Sequence, residues 1–138
     1  MRTSSLIASL LAATFALVAF APPAAAQQVT FPNPLFVTTG TIGWSVTLDD
    51  SDPNRGVEYS LVLPRTSKSS GWLVLDYSGD AYELQSLPGK PTVTAKIAPI
   101  PQGGQCPYSR NAPNATYTIE FILRNVIYRG CGYFTQPQ

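Results

Sequence analysis

The chain has 138 residues, with nine Lys/Arg, eight Asp/Glu, two Cys and no His. The lack of histidine removes the usual general base, the base of a serine triad and the commonest metal ligand. A formal charge of +1 excludes an overall basic field that would draw nucleic acid or anionic lipid.

The N-terminus reads as an export signal. Arg2 gives a positive start, Leu6 to Phe20 is an apolar run, and Ala24-Ala25-Ala26 supplies an A-x-A cleavage site before Gln27. The run is too short for a comfortable membrane span. Residues 1–26 are therefore expected to be a signal peptide and residues 27–138 one exported domain, secreted or periplasmic, with no membrane span. Cleavage leaves 112 residues and removes Arg2, so eight bases face eight acids. A domain of this length can bury a real core.

Gln27 to Pro34 is expected to be an extended lead-in, because Pro32 and Pro34 cannot donate ladder hydrogen bonds. The first strand is placed at about Ile42–Leu48, where Trp44, Val46 and Leu48 alternate with Ser45 and Thr47. Asp49 to Gly56 is a turn cluster. Val57–Leu63 alternates again, and Pro64 to Gly71 reads as a polar loop. Trp72–Tyr77 is more continuously apolar, which predicts a strand either buried on both faces or central. Ser78-Gly79-Asp80 is a tight turn into Ala81–Ser86, and Leu87-Pro88-Gly89-Lys90 is a further turn. Thr92–Ala98 places Val93, Ala95 and Ile97 on one face. Pro99 to Pro113 is a long Pro/Gly-rich loop carrying Cys106.

The last two strands are the best defined. A two-residue turn at Arg124-Asn125 sets Phe121 opposite Tyr128, Ile122 opposite Ile127 and Glu120 opposite Arg129, an opposite-charge cross-strand pair. Tyr117, Ile119, Phe121, Leu123, Val126 and Tyr128 then share the core face with Gly130 and Gly132. A large ring such as Trp44 or Trp72 could cover those glycines. Cys131 falls on the opposite face.

No amphipathic helix is legible after Gln27. Seven or eight strands with polar turns predict an all-β fold: a small antiparallel β-barrel of about eight strands, with a β-sandwich as the alternative. Two cysteines in an exported chain predict one disulfide, Cys106–Cys131, which ties the 99–113 loop across the outside or rim of the final hairpin. The charge is uneven along the chain, with net −4 over residues 27–83 and net +4 over residues 84–138. Interleaving of the two halves in space is expected to pair these charges off.

Candidate chemistry is sparse. Asp50-x-Asp52-x-Asn54 begins like a calcium loop, but the glycine arrives late at Gly56 and the twelfth position is Leu61. A solvated turn is expected instead. Asp76, Asp80 and Glu83 invite comparison with a glycosidase carboxyl pair, which needs a deep cleft that a small barrel has little room for. Ser67-Lys68-Ser69-Ser70 lacks the setting of a serine–lysine hydrolase. Tyr77, Tyr82, Tyr108 and Tyr133 lie near turns or ends and suit either a binding surface or end packing.

Two stretches carry a family resemblance. Gly40-Thr41-Ile42-Gly43-Trp44-Ser45-Val46 resembles a G-x-E-P-F-W-x-V signature. Cys106 through Tyr117 to Gly130-Cys131-Gly132 resembles a C-x-D-x-M-S … Y-x-Y … G-C ending. Both belong to small exported bacterial proteins related to the META/heat-shock-lipoprotein domains and to the membrane-bound inhibitors of c-type lysozyme. Thr41, Ile42 and Gly43 stand in place of Glu-Pro-Phe, and Pro107-Tyr108-Ser109 is a reduced form of the second motif. Ser78-Gly79-Asp80-Ala81-Tyr82 is similar to the S-G-x-x-Y loop with which those inhibitors enter the enzyme cleft. The resemblance implies contact roles for Ser78, Gly79 and Tyr82, with Lys90 in support. It implies a non-enzymatic binding module, an inhibitor of a cell-wall hydrolase such as lysozyme, with no cofactor and no metal. A structural or envelope-stress protein without a tight ligand is the alternative.

Overall fold

The computed structural model describes residues 29–87 and 92–138. The expected signal peptide, residues 1–26, and Lys90 lie outside the described residues. Eight strands form a closed antiparallel barrel in simple sequence order: β1 (Leu35–Thr39), β2 (Ser45–Asp49), β3 (Val57–Val62), β4 (Lys68–Ser78), β5 (Ala81–Ser86), β6 (Val93–Pro99), β7 (Tyr117–Leu123) and β8 (Val126–Thr135). A 3₁₀ turn, Pro64–Thr66, joins β3 to β4. Closure comes from β1 pairing with β8, from Leu35 opposite Thr135 to Thr39 opposite Cys131. Among the described residues no strand edge is left to recruit another chain.

An eight-strand barrel is just wide enough for side chains to fill it. Here Phe36, Val46, Leu48, Val57, Leu61, Ile97 and Phe121 are fully buried. The final hairpin has the register its charges imply, with Phe121 opposite Tyr128 and Glu120 opposite Arg129. Arg124 and Asn125 both have positive φ, 51° and 68°, the two-residue turn whose twist matches a right-handed hairpin. Gly130 lies under the Trp44 ring: a Cβ there would come 3.0 Å from Trp44 Cζ2. Gly132 is covered by β1 itself, through the Phe36 ring and the Val37 carbonyl.

Several local expectations change. The N-terminal lead-in is tied down: Phe31 N–H donates to Asp50 Oδ2 at 3.0 Å, and Asp50 N–H donates to Pro34 O at 2.8 Å. The Phe31 ring plugs the barrel mouth against Phe134 at 4.8 Å and Tyr82 at 5.5 Å. β1 has no counterpart in the sequence reading, and β2 starts at Ser45, later than Ile42. β4 begins at Lys68, inside the expected polar loop. Its Ser69 and Gly71 face Leu61 and Tyr59, and a Cβ on Gly71 would come 3.0 Å from the Tyr59 ring. The small residues that read as loop leave room for that ring. The Trp72–Tyr77 stretch is covered on one face only: Leu73 is buried, while Val74 and Asp76 on the other face are exposed. Trp72 faces outward, with the Arg55 guanidinium 5.2 Å from its ring. Val126, expected in the core, is half exposed because it sits where the barrel opens.

Candidate functional site

The meander gives the barrel two distinct ends. The upper end carries the β1–β2, β3–β4, β5–β6 and β7–β8 connections. The lower end carries the β2–β3, β4–β5 and β6–β7 connections, the lead-in and the C-terminus. The β6–β7 loop leaves the lower end but does not stay there. It climbs the outside of β8, where Cys106 bonds to Cys131 with an S–S length of 2.00 Å. It then reaches the upper end, where Ser109 Oγ donates to Gly40 O at 2.9 Å. Gly40 has φ +72°, and a Cβ there would come 2.8 Å from Asn111 O, so the contact depends on glycine. Cys131 lies on the outer face yet has no exposed surface, because this loop lies over it. On returning, Thr116 N–H donates to Gly132 O at 3.0 Å. The bridge fastens a strap across the outside of the closing seam.

Because strand order is sequence order, the two halves of the chain do not interleave, and their opposite charges face each other at Glu83 and Lys96 across β5 and β6 rather than throughout the barrel. The ion pair Glu120–Arg129, 3.0 Å between Oε2 and Nε, joins two residues of the basic half. The charges are also segregated along the barrel axis. Asp49, Asp50, Asp52, Glu58 and Asp80 lie at or next to the lower end, with Asp76 close by, against Arg55. Lys68, Arg65, Arg110 and Arg124 lie at the upper end, with Arg129 a step inside it. Among the described residues no acid lies in the upper connections.

The sequence-predicted site residues fall at the lower end. Ser78, Gly79 and Asp80 form the exposed β4–β5 turn, with Gly79 at φ +68°. A Cβ on Gly79 would meet nothing within 4 Å. Tyr82 follows on β5 but turns inward, 5.0 Å from the Tyr77 ring and 5.5 Å from Phe134. Burial pushes its phenol above the ordinary value, and the neighbouring Tyr117 and Tyr77 add to this. Thus Ser78 and Gly79 form the open tip, while Tyr82 supports it from within. Tyr77 is half exposed beside them.

The acidic turn Asp49–Gly56 is held by its own carboxylates. Asp49 Oδ1 accepts from the Ser51 N–H at 2.8 Å and from the Ser51 hydroxyl, and Asp52 Oδ1 accepts from Asn54 N–H at 3.2 Å. Asp50 accepts from Phe31. Burial raises the Asp50 carboxyl above its usual value, the Phe31 hydrogen bond opposes this, and Asp49 adds to it. Among the described residues no three His, Cys, Asp or Glu side chains converge as a metal site would need.

Of the three carboxylates compared with a glycosidase pair, Asp76 and Glu83 meet directly across β4 and β5, and Asp80 stays in the turn. The pair lies in a row around the outer wall that continues through Lys96 and Glu120 to Arg129. A shallow hollow of about 350 Å³ runs along this wall. Both acids are exposed on an open surface, without the enclosing walls that hold a sugar ring during hydrolysis.

The upper end was not singled out by the sequence reading. Thr41, whose hydroxyl donates to Trp44 O, shapes the β1–β2 turn together with Gly40 and Gly43 (φ +83°). That turn leaves Ile42 87 % exposed. Between it and the strap lies a cleft of about 300 Å³ bordered by Trp44, Tyr108, Arg110 and Arg129. A signal for this end was available, since in a meander alternate connections share an end. Comparison with known protein families, with curated proteins and with solved structures returned no match for this chain.

Proposed function

We propose that the domain is an exported, non-enzymatic binding module whose partner is a protein with a basic surface. A cell-wall hydrolase such as c-type lysozyme is the partner that the motif resemblance nominates. The observation carrying this reading is the lower end of the barrel, where an open Ser78-Gly79-Asp80 tip projects among Asp49, Asp52 and Asp76. An acidic rim selects a basic partner and speeds its approach. The tip grows from a closed barrel and is backed by the Tyr77–Tyr82 ring contact, so little order remains to be imposed on binding. The packed interior supports contact through the surface. The Cys106–Cys131 bridge supports an oxidising, exported setting.

In this reading Ser78 and Gly79 touch the partner and Tyr82 holds the hairpin in shape. The processed protein is expected to inhibit c-type lysozyme at near-stoichiometric ratio, and Ser78→Arg to abolish inhibition by placing a cation and a long side chain at the tip. Full lysozyme activity at roughly tenfold excess of the protein would exclude this enzyme as the partner. A pull-down from secreted and periplasmic extract that yields no stable complex would exclude the binding reading and leave the structural, envelope-stress alternative.

A further inference from the structure

We propose that the upper end of the barrel is a docking face for an anionic phospholipid bilayer, on which the protein sits as a peripheral, non-spanning module. The proposal does not rest on the lysozyme reading, which concerns the opposite end.

Exposed large apolar side chains are concentrated at this end. Ile42 is 87 % exposed on the β1–β2 turn, Val126 50 % and Ile127 49 % at the start of β8, and Leu87 44 % where β5 ends. Tyr108, 50 % exposed, stands beside them at the top of the strap. Basic residues alternate with these tips. Arg124 lies two residues before Val126, in the turn that leads into β8, and Leu87 shares a hollow with Arg124. Arg110 borders the Ile42 cleft, and Lys68 opens β4. Arg129 is partly neutralised by Glu120 and is not needed for the proposal.

The apolar side chains are single tips on separate connections. They do not form one continuous groove. A rigid protein partner needs a matching packed patch, whereas a fluid headgroup and acyl boundary accommodates any arrangement of protruding tips. Basic residues between the tips match an anionic lipid surface, where each contributes attraction within about a Debye length. Trp44 and Tyr128, in tilted ring contact at 5.4 Å just below the rim, and Tyr108 are the ring types that favour the membrane–water boundary.

The rest of the molecule fixes how far it can enter. The interior is apolar, while the outer wall carries the row Asp76, Glu83, Lys96, Glu120 and Arg129, which runs from near the lower end to just inside the upper end. That is the reverse of a membrane-spanning barrel, which faces lipid with an apolar band. Contact therefore stops at the rim. The acids of the lower end are repelled by the same surface, so the charge separation turns the upper end toward it. The Ser78–Asp80 tip would then point away from the membrane.

The test uses the processed protein with vesicles of phosphatidylcholine alone or mixed with phosphatidylglycerol, followed by flotation and by the fluorescence of Trp44 against a Trp44→Phe control. Expected are binding only to the phosphatidylglycerol-containing vesicles, a blue shift that the control lacks, and release as salt is raised. Arg124→Glu and Ile42→Asp are each expected to lower partitioning by about tenfold or more. Gln85→Ala, on the outer wall, should leave partitioning unchanged. Ile42, Arg124 and Gln85 are exposed, and unchanged unfolding midpoints check that the variants are folded. The proposal is overturned by equal binding to both vesicle types, or by binding to neither. It is also overturned if Ile42→Asp binds as the parent does while dextran sulfate displaces the protein, since the end would then be a site for soluble polyanions.

Discussion

Gly130 and Gly132 sit one step apart on the same face of β8, yet their neighbours predict different costs for the same methyl group. At Gly132 a Cβ would lie 2.7 Å from Phe36 Cζ and press on the Val37 carbonyl, part of the β1 backbone that closes the barrel. Neither group can move without opening the seam. Gly132→Ala is expected to cost about 3 kcal/mol or more, read from denaturant midpoints. At Gly130 the obstacles are the Trp44 ring and the Thr41 methyl, both at 3.0 Å. These can shift at the partly exposed rim, so Gly130→Ala should cost about 1 kcal/mol and alter Trp44 fluorescence. A larger loss at Gly130 than at Gly132 would contradict this account. Asp50 offers a second test at this scale. Burial makes its folded carboxyl bind a proton more tightly than the unfolded one, with the Phe31 hydrogen bond opposing the effect and Asp49 adding to it. Its ionisation therefore costs native stability: there is no cost below the ordinary carboxylate value, and the full cost is present above the raised one. Asp50→Asn keeps an oxygen for the Phe31 N–H and removes the charge. It should stabilise the protein at about pH 7 relative to the parent, with the gain gone at about pH 3. A gain that did not change with pH would exclude desolvation as its cause.

The strap shows how an element can have function-shaped geometry and a mechanical role. The strap between β6 and β7 is held to the barrel by the Cys106–Cys131 bond, the Ser109–Gly40 hydrogen bond and the Thr116–Gly132 hydrogen bond. The bridge spans a sequence separation of 25, for which chain entropy gives about 3.5 kcal/mol. A Cys106→Ser/Cys131→Ala double variant should lose roughly that much stability in urea. Amide exchange should quicken first in β8 and β1, the strands under the strap. A loss confined to the loop, with the seam still protected, would show that the strap does not support closure. The elements that the sequence revealed and those it hid differ for a physical reason. β7 and β8 were legible because apolar alternation, a turn signal and an opposite-charge pair all pointed to one register. β1 was not, because both Leu35 and Val37 flank the buried Phe36, which blurs the period of two. The start of β4 was hidden because Ser69 and Gly71 make room for Tyr59, a long-range fact that leaves only small polar residues in the sequence. The open tip at Ser78–Gly79 was legible as turn chemistry. The inward rotation of Tyr82 was not, since it follows from the ring plug that Phe31 and Phe134 build.

At the scale of the whole molecule, near-neutral net charge hides a strong separation. The sequence halves were expected to neutralise each other, and that would hold for a fold that shuffles its strands. A meander instead keeps sequence neighbours adjacent and sends alternate connections to opposite ends. Bases in the odd-numbered connections then collect at one end and acids in the even-numbered ones at the other. This predicts behaviour that net charge cannot. At neutral pH and low ionic strength the domain of residues 27–138 should be retained on both a cation and an anion exchanger, through its upper and lower ends respectively, because binding to a charged surface responds to the local field. Arg124→Glu combined with Lys68→Glu should abolish retention on the cation exchanger and leave or strengthen retention on the anion exchanger. Asp52→Asn with Asp80→Asn should do the opposite. All four residues are exposed, so fold stability should change by only about 0.5 kcal/mol or less per site. If each pair of variants shifted both elutions equally, the protein would be responding to net charge alone, and the two-ended field would be wrong.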